Sequence, residues 1–411
     1  MKKVLSFLLV LMLGLSCLSF AAADETTTIT LWHRWSGANE TILNQCVEEF
    51  MAENPDIKIE VVAKAGEYFE LLQSMIADAA AGNDKPDVFV GGYNLLNYIA
   101  EELEPTTVDE LAPSADALAE LYDRFTPEML ALANYDGAQI GLPLAVSNMV
   151  MYCNMDIFEA AGLTEEDIPT TYEQAMEVSQ IIKDKTGKYG FFMQLPDNWG
   201  DQAIIFSADG ELLSEDKTRV DFTNEGIILA LQTWQDMYNK GYAPVCTNNE
   251  GVAMFNSGDV AMFQTSIMSI HAYEEYVSNM VVAECLGFEG KTKQLPAGGA
   301  AMISFSTKDE KKAAAYRFFD FMTSQKGMEM FTTTGYLCVT KAEVPITPGQ
   351  EAAYAQTQYA RAWECWPGGS AGLEIDSLWI STRNSIIMEN KDVVSTLAAL
   401  SEECNEILDN Q

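Results

Sequence analysis

The sequence predicts an α/β fold with two lobes, because strand and helix patterns alternate and the chain is long for a single domain. The alternation starts between Ile29 and Val90, where three apolar strand segments are separated by two helical segments. Strands separated by helices pair in parallel through right-handed crossovers, and such sheets bind ligands at the carboxyl ends of their strands. A ligand crevice is therefore the first functional expectation.

The spacing of apolar residues and the helix stop signals predict the first five elements of the chain. In residues 39–54 apolar side chains recur in i, i+4 pairs, which indicates one face of a helix, and Asn54-Pro55 ends it. Alternating apolar and polar residues mark the second strand, and Gly82 ends the second helix. The predicted elements are a strand at 29–32, a helix at 39–54, a strand at 57–62, a helix at 67–81 and a strand at 86–90.

A strand pattern returns late in the chain at 298–303, which indicates that the lobes exchange strands. We therefore expect an N-terminal lobe of residues 24–143 plus 298–340 and a C-terminal lobe of residues 144–297 plus 341–411. The other expected elements are a turn at 135–137, strands at 140–143 and 149–152, helices at 156–162, 172–186 and 229–240, a segment at 251–264, helices at 308–322 and 325–331, a linker at 345–348, and helices at 375–390 and 393–408.

The N-terminus has the pattern of an export signal. Two lysines precede an apolar run at 4–18 that is too short to span a bilayer, and three alanines end at Ala23. Cys17 raises a lipoprotein anchor as the alternative, but Gly14 stands where such signals usually carry Leu. We expect a signal peptide at 1–23 and an exported protein, in the periplasm or at the outer face of the cytoplasmic membrane.

The net charge argues against binding to nucleic acid or anionic membranes, and the cysteine pattern argues against a disulfide-rich domain. Without residues 1–23, 22 basic residues (24 − 2) face 61 acidic ones, which gives a formal charge of −39. Such a surface repels nucleic acid and anionic membranes. Seven cysteines remain after removal of Cys17, none in a C-x-x-C pair. We interpret them as small buried apolar side chains, with one disulfide left open.

Signatures of catalysis and of metal binding are weak. His33 and His271 are the only histidines, which excludes a multi-histidine zinc site. Residues 368–372 match the G-x-S-x-G pattern, but they follow Trp-Pro rather than a strand, and no histidine lies downstream. We interpret them as a surface turn. Paired carboxylates keep a glycosidase open as an alternative. We expect no catalytic residue, no metal and no cofactor.

Short sequence blocks in a fixed order resemble the extracellular solute-binding proteins that feed ABC importers, in the branch that binds maltose or glycerol 3-phosphate. The resemblance extends over nearly all of the chain after the signal, although each block is short. The blocks are I-T-L-W-H at 29–33, F-M-A-E-N-P at 50–55, P-D-V at 86–88, M-Y-C-N-M-D at 151–156, A-G-L at 161–163, F-N-S-G-D-V-A-M at 255–262, G-G-A at 298–300 and T-G-Y-L at 334–337. The resemblance implies a type II periplasmic-binding-protein fold, in which hinge-linked lobes close on a central ligand cleft.

The resemblance to the glycerol-3-phosphate-binding member also implies a set of cleft residues. The positions that match are Tyr68, Ser147, Ser266, Gly299, Tyr336 and Arg383. The acidic residue of that member after the third strand is missing, and Asn94 stands at the similar position. Hydroxyls and amides pair with a neutral polyol, and Arg383 has the fork geometry for a phosphate or for vicinal hydroxyls.

Tryptophans supply the aromatic face on which a sugar ring stacks. Trp199, which we place in a loop at 196–200, is the first candidate, and Trp35, Trp363 and Trp366 follow it. Trp32 lies within the first strand and Trp234 is spaced with Leu231 and Tyr238 on a helix, so both are expected to pack in the core.

Structural roles remain open for several of these candidates. Tyr336 and Gly299 recur widely in the family and suit a structural position as well as a ligand contact. Arg383 has Asp376 and Glu389 nearby in sequence, so a surface ion pair is the simpler interpretation. The serines at 147 and 266 have the chemistry to bond backbone groups in turns.

We therefore expect the substrate-binding subunit of an ABC importer, which captures a sugar or small oligosaccharide and delivers it to the permease subunits by hinge closure. The alternative ligand is glycerol 3-phosphate or a glycerophosphodiester. The matched polar positions favour that alternative, whereas the missing acid and the negative charge oppose it. A secreted carbohydrate-active enzyme and an exported scaffold are the other classes. We expect a monomer that binds no nucleic acid.

Overall fold

The computed structural model describes residues 26–410, so the predicted signal peptide and Cys17 lie outside the described residues. The strands are β1 Thr27–His33, β2 Ile57–Ala63, β3 Val88–Gly92, β4 Asn134–Tyr135, β5 Ala138–Gln139, β6 Gly141–Ser147, β7 Met149–Asn154, β8 Tyr189–Met193, β9 Val260–Ser266, β10 Met280–Glu284, β11 Leu295–Pro296, β12 Gly298–Ser304 and β13 Ala360–Arg361. The α-helices are α1 Gly37–Glu53, α2 Tyr68–Ala80, α3 Leu96–Glu102, α4 Val108–Leu111, α5 Ala115–Tyr122, α6 Pro127–Ala131, α7 Met155–Ala161, α8 Tyr172–Thr186, α9 Trp199–Ser207, α10 Glu225–Asn239, α11 Asn248–Asn256, α12 Ile270–Glu274, α13 Asp309–Met322, α14 Gln325–Phe331, α15 Glu351–Ala355, α16 Ser370–Glu389 and α17 Val393–Asp409.

The first sheet has five strands in the order β2-β1-β3-β12-β6. β1 pairs in parallel with β2 and with β3, as the alternation of strands and helices predicts. β12 is inserted between β3 and β6 and runs antiparallel to both. The late strand therefore does return to the N-terminal sheet. Pro143 is tolerated in β6 because β6 is an edge strand and the pairing register shifts there.

The second sheet has four strands in the order β10-β7-β9-β8. β7 is antiparallel to β9 and β10, and β8 is parallel to β9. The predicted segment at 251–264 divides into α11 and β9, because Gly258 adopts a left-handed conformation with φ +74° between them. Each sheet has its own buried apolar strands, which gives the two lobes expected from the sequence.

The chain passes from the first sheet to the second within one residue. β6 ends at Ser147, β7 begins at Met149, and the buried Asn148 lies between them. The Asn148 Nδ2 donates to the Ala353 carbonyl at 2.7 Å, and Gln356 Nε2 donates to the Met149 carbonyl at 2.5 Å. A later segment of the chain therefore satisfies the polar groups of this crossing.

Helix limits agree with the sequence signals where capping is strong. α8 and α14 have the predicted limits, and the side chain of Thr171 accepts the Gln174 amide hydrogen at the start of α8. Gly187 ends α8 in a left-handed conformation. The prediction of a surface turn at 368–372 is wrong in its second half, because α16 begins at Ser370.

The described part of the chain tests the predictions about disulfides and membrane-spanning helices. The seven cysteines in this range are all free thiols, so the disulfide left open by the sequence is not formed among them. None of the described helices combines the length and the apolar character needed to cross a membrane.

Gly299→Ala tests the close packing at the crossing strands. Gly299 has φ +118°, and a Cβ atom there would lie 2.0 Å from the Ala145 carbonyl oxygen. We expect the free energy of unfolding, measured by urea denaturation, to fall by more than the ~1–3 kcal/mol of backbone strain alone. Gly82→Ala is the matched control, because Gly82 has φ +87° with open space around it. Equal losses in the two variants would contradict this account.

Candidate ligand-binding cleft

A cavity of about 180 Å³ lies beside the crossing strands, and residues from elements of both lobes line it. The N-terminal side and the crossing strands contribute Arg34, Glu67, Tyr68, Ser147, Gly298, Gly299 and Tyr336. The C-terminal side contributes Gln194, Pro196, Asp197, Trp199, Asn248, Val252, Phe263, Thr265, Ser266, Met268, Ser269, Tyr273 and Trp363. Strands β1, β8 and β9 end at this cavity, as expected for an α/β crevice.

Two tyrosines and an arginine form the N-terminal wall. The Tyr336 hydroxyl accepts a hydrogen bond from Trp35 Nε1 at 3.0 Å and lies 3.5 Å from the Tyr68 hydroxyl. Burial raises the pKa of both tyrosines, so the hydroxyls stay protonated and are able to donate. The Arg34 guanidinium lies 4.9 Å from the Tyr68 ring centroid and pairs with the Glu67 carboxylate.

The opposite wall is the loop at 194–199, which follows β8 and leads into α9. Asp197 Oδ1 accepts the Trp199 amide hydrogen at 3.0 Å, which fixes the turn into the helix. The Trp199 indole Nε1 donates to the Pro296 carbonyl at 2.9 Å, next to the crossing strand β12. The Gln194 Oε1 accepts from the Thr265 hydroxyl at 2.5 Å. These bonds join the loop to both β9 and the crossing strand.

The charges in the cavity are mostly acidic. Arg34 is the only lysine or arginine among the described residues that line it, and its guanidinium already pairs with Glu67. Burial, and then the charge of Glu67, raise the pKa of Asp197 to about 7. Because only Asp197 Oδ1 has a hydrogen bond to the protein, its second carboxylate oxygen is available for a donor group of a ligand.

The structure brings together seven of the eleven residues that the sequence nominates. They line the cavity and are Tyr68, Ser147, Trp199, Ser266, Gly299, Tyr336 and Trp363. Trp199 is the first residue of α9, so its placement in a loop is wrong, and it is buried with 3% exposure. Ligand contact at these positions stays a prediction.

Four nominated residues, Trp35, Asn94, Trp366 and Arg383, lie outside the cavity lining. Trp35 is behind Tyr336, to which it donates a hydrogen bond. Asn94 lines a separate small cavity with Trp366 and Asp376. Arg383 is fully buried and pairs with Asp201, so the interpretation as a surface ion pair with neighbouring acids is wrong.

Sequence reasoning missed several lining residues, chiefly Arg34, Glu67, Gln194 and Asp197. Arg34 directly follows β1 and Gln194 directly follows β8. A search for polar residues at the carboxyl ends of the strands would have found both. Asp197 lies two residues before Trp199 in the same motif, but no sequence signal distinguishes it from the many surface acids.

A second, larger cavity of about 770 Å³ lies next to the same crossing segments. Val146, Ala297, Leu337 and Ala360 are among its lining residues. Its lining surface is predominantly apolar, although polar side chains such as Glu128, Gln358 and Arg361 also contribute to it.

Comparison with known families gives a match over most of the chain. Residues 45–357 match a family described as bacterial extracellular solute-binding protein. The sn-glycerol-3-phosphate-binding periplasmic protein UgpB of Escherichia coli (strain K12) is 25% identical over 355 residues, which cover 83% of this chain and 80% of UgpB. The UgpB of Shigella flexneri is 26% identical with the same coverage.

Solved structures share the fold at low sequence identity. UgpB from Mycobacterium tuberculosis in complex with glycerophosphocholine has a TM-score of 0.81 at 20% identity, covering 93% of this chain and 99% of that one. The GacH receptor of Streptomyces glaucescens GLA.O, solved unliganded and with acarbose, has a TM-score of 0.80 at 17% identity, with coverages of 93% and 99%. The cyclic α-maltosyl-1,6-maltose binding protein from Arthrobacter globiformis has a TM-score of 0.77 at 20% identity, with coverages of 94% and 100%. The predicted type II periplasmic-binding-protein fold is confirmed.

Asp197→Asn tests the electrostatics of the cavity without any ligand. Because the folded state raises the pKa of Asp197 from 3.8 to about 7, the folded state favours its protonated form. Relative to the Asn variant, the wild type is therefore most stable below pH 4 and loses stability as the pH rises to 7. We expect urea denaturation at pH 4, 5.5, 7 and 8 to show this trend. A stability difference that does not change with pH would contradict the assignment.

Proposed function

Because the chain belongs to the family of bacterial extracellular solute-binding proteins, we propose that its cleft captures a neutral sugar or small oligosaccharide. The protein is the substrate-binding subunit of an ABC importer. The ligand binds between the lobes, and closure about the crossing strands buries it and presents both lobes to the permease.

The balance of charge and hydrogen-bonding groups in the cavity carries this proposal. Tyrosine and serine hydroxyls, the Gln194 and Asn248 amides and the Asp197 carboxylate supply both donors and acceptors. A sugar hydroxyl is both donor and acceptor, so it matches such a mixture. A doubly charged phosphate would meet two carboxylates, and the one lining cation is already paired with Glu67.

Aromatic rings in the cavity support a ligand with an apolar ring face. The Trp199 and Trp363 ring centroids are 6.2 Å apart, and both indoles are nearly buried. The Trp363 Nε1 donates to Asn198 Oδ1 at 2.7 Å, which fixes the orientation of this ring. The C–H face of a pyranose packs on such surfaces, whereas a glycerol unit offers no ring face.

The remaining features of the proposal follow from family membership and from the sequence. We propose that the chain is exported by the signal at 1–23, works as a monomer with ABC permease subunits, and has no catalytic activity or nucleic-acid ligand. The lobes are assigned to residues 24–143 plus 298–340 and 144–297 plus 341–411. The change of sheet at Asn148, close to the first of these boundaries, supports the assignment.

A glycerophosphodiester or glycerol 3-phosphate is the second candidate ligand. The UgpB relatives are named as sn-glycerol-3-phosphate-binding proteins, which favours it. Binding of the phosphate would require Arg34 to exchange its contact with Glu67 for the ligand. The two candidates therefore depend in opposite ways on Arg34 and Asp197.

Titration of residues 24–411 with mono- and oligosaccharides, polyols, glycerol 3-phosphate and glycerophosphocholine tests the proposal by calorimetry. We expect saturable binding of a saccharide. Asp197→Asn should then weaken it by about 10- to 100-fold, because a hydrogen bond to a charged group contributes about 1.5–3 kcal/mol. Asp123→Asn is the matched control, because the side chain of Asp123 is 89% exposed and does not line the cavity.

The opposite pattern would contradict the sugar proposal. If only a phosphate ester bound, Arg34→Met should abolish binding, and Asp197→Asn should strengthen it by removing a repulsive charge. Turnover of a chromogenic glycoside by the wild type would instead support the enzyme alternative.

A further inference from the structure

One face of α16 carries three buried side chains whose polar groups bond either the 194–199 loop or Asp201 in the helix α9 that follows it. Asp376, Trp379 and Arg383 are spaced i, i+3 and i+7, so they lie on the same side of the helix. Their exposures are 9%, 0% and 1%. Two charged side chains, Asp376 and Arg383, are unusual on a buried helix face, which calls for a role that apolar side chains do not fill.

Arg383 is bound to the loop and to the helix that follows it. Its Nη2 donates to the Leu195 carbonyl at 2.8 Å, and its Nη1 pairs with the buried Asp201 carboxylate. The Trp379 Nε1 donates to the second oxygen of Asp201 at 2.6 Å. Both carboxylate oxygens of Asp201 are therefore held by α16.

Asp376 holds the other end of the loop. Its Oδ1 accepts from Asn198 Nδ2 at 2.6 Å and from Trp366 Nε1 at 2.7 Å. Asn198 in turn accepts from Trp363, which lines the cavity. Along the loop, residues that face the cavity alternate with residues that bind this helix, and Leu195 and Asn198 are the two on the helix side.

We infer that Asp376, Trp379 and Arg383 form a positioning face that fixes the 194–199 loop in its ligand-binding geometry, and that Arg383 acts through Leu195 and Asp201 instead of contacting the solute. The inference rests on the proposed function only in taking this cavity as the ligand site. A buried ion pair adds little net stability compared with apolar packing. Neutralising only one of its partners, however, leaves the other charge buried without compensation. We therefore assign to the Arg383–Asp201 pair the role of fixing the conformation of the 194–199 loop.

Hydrogen exchange measured by mass spectrometry on ligand-free residues 24–411 tests the inference. In Arg383→Met we expect amides in peptides covering 194–202 to exchange at least about tenfold faster, because two charge-assisted bonds to this segment are lost. Peptides of β1 and α1 should exchange at the wild-type rate. Arg383→Lys should give an intermediate rate, because its single ammonium has no planar fork to reach both acceptors.

A double variant covers the case in which Arg383→Met fails to fold. Asp201→Asn combined with Arg383→Met removes both charges, so it should fold and still show fast exchange at the Leu195 end of the loop. Arg317→Met is the matched control, because Arg317 pairs with Asp56 on the other lobe. The inference would be overturned if amides at 194–202 exchanged at the wild-type rate in Arg383→Met and in the double variant. A uniform increase in exchange rate over the whole C-terminal lobe would also overturn it. Because no ligand is used, failure of the sugar proposal leaves this result unaffected.

Discussion

Two consecutive glycines at the start of β12 determine how closely the lobes approach at the cleft. A Cβ atom on Gly298 would lie 2.6 Å from the Trp199 ring, and one on Gly299 would lie 2.0 Å from the Ala145 carbonyl oxygen. With no side chain at either position, the indole packs on the crossing strand and β6 pairs beside it. The ligand loop, the crossing strands and the N-terminal sheet thus meet at one place, and the cavity forms there.

The chemistry of the cavity is determined by the side chains that are buried around the contact between Trp199 and β12. The aromatic and hydroxyl groups are held by neighbours, as Tyr336 is by Trp35, so they need little reordering when a solute enters. Asp197 is exceptional, because burial raises the pKa of its carboxyl group, while the Arg34 guanidinium pairs with the Glu67 carboxylate. The proposed selectivity for uncharged, hydroxyl-rich solutes follows from this distribution.

The fold could be predicted because its signals are local and repeated. Apolar periodicity, capping residues and stop signals define α8 and α14 to the residue, and short motifs in order identify the family. A strand at 298–303 was predicted, but its antiparallel insertion between β3 and β6 was not. Sheet order depends on contacts between distant segments, which leave no local pattern in the chain.

The site was predicted in part, and the reasons differ between residues. Tyr68 and Tyr336 were predicted because they match positions of the family, and both line the cavity. Arg383 matches a family position, but its buried partner Asp201 is 182 residues away in sequence, and nothing local reveals that pairing. A crystal structure with the tightest-binding solute tests most directly whether the cavity between the lobes is the ligand site. We predict ligand density between the Tyr68–Tyr336 wall and the 194–199 loop, with contacts to both lobes. Density confined to one lobe, or in the larger apolar cavity of about 770 Å³, would contradict it.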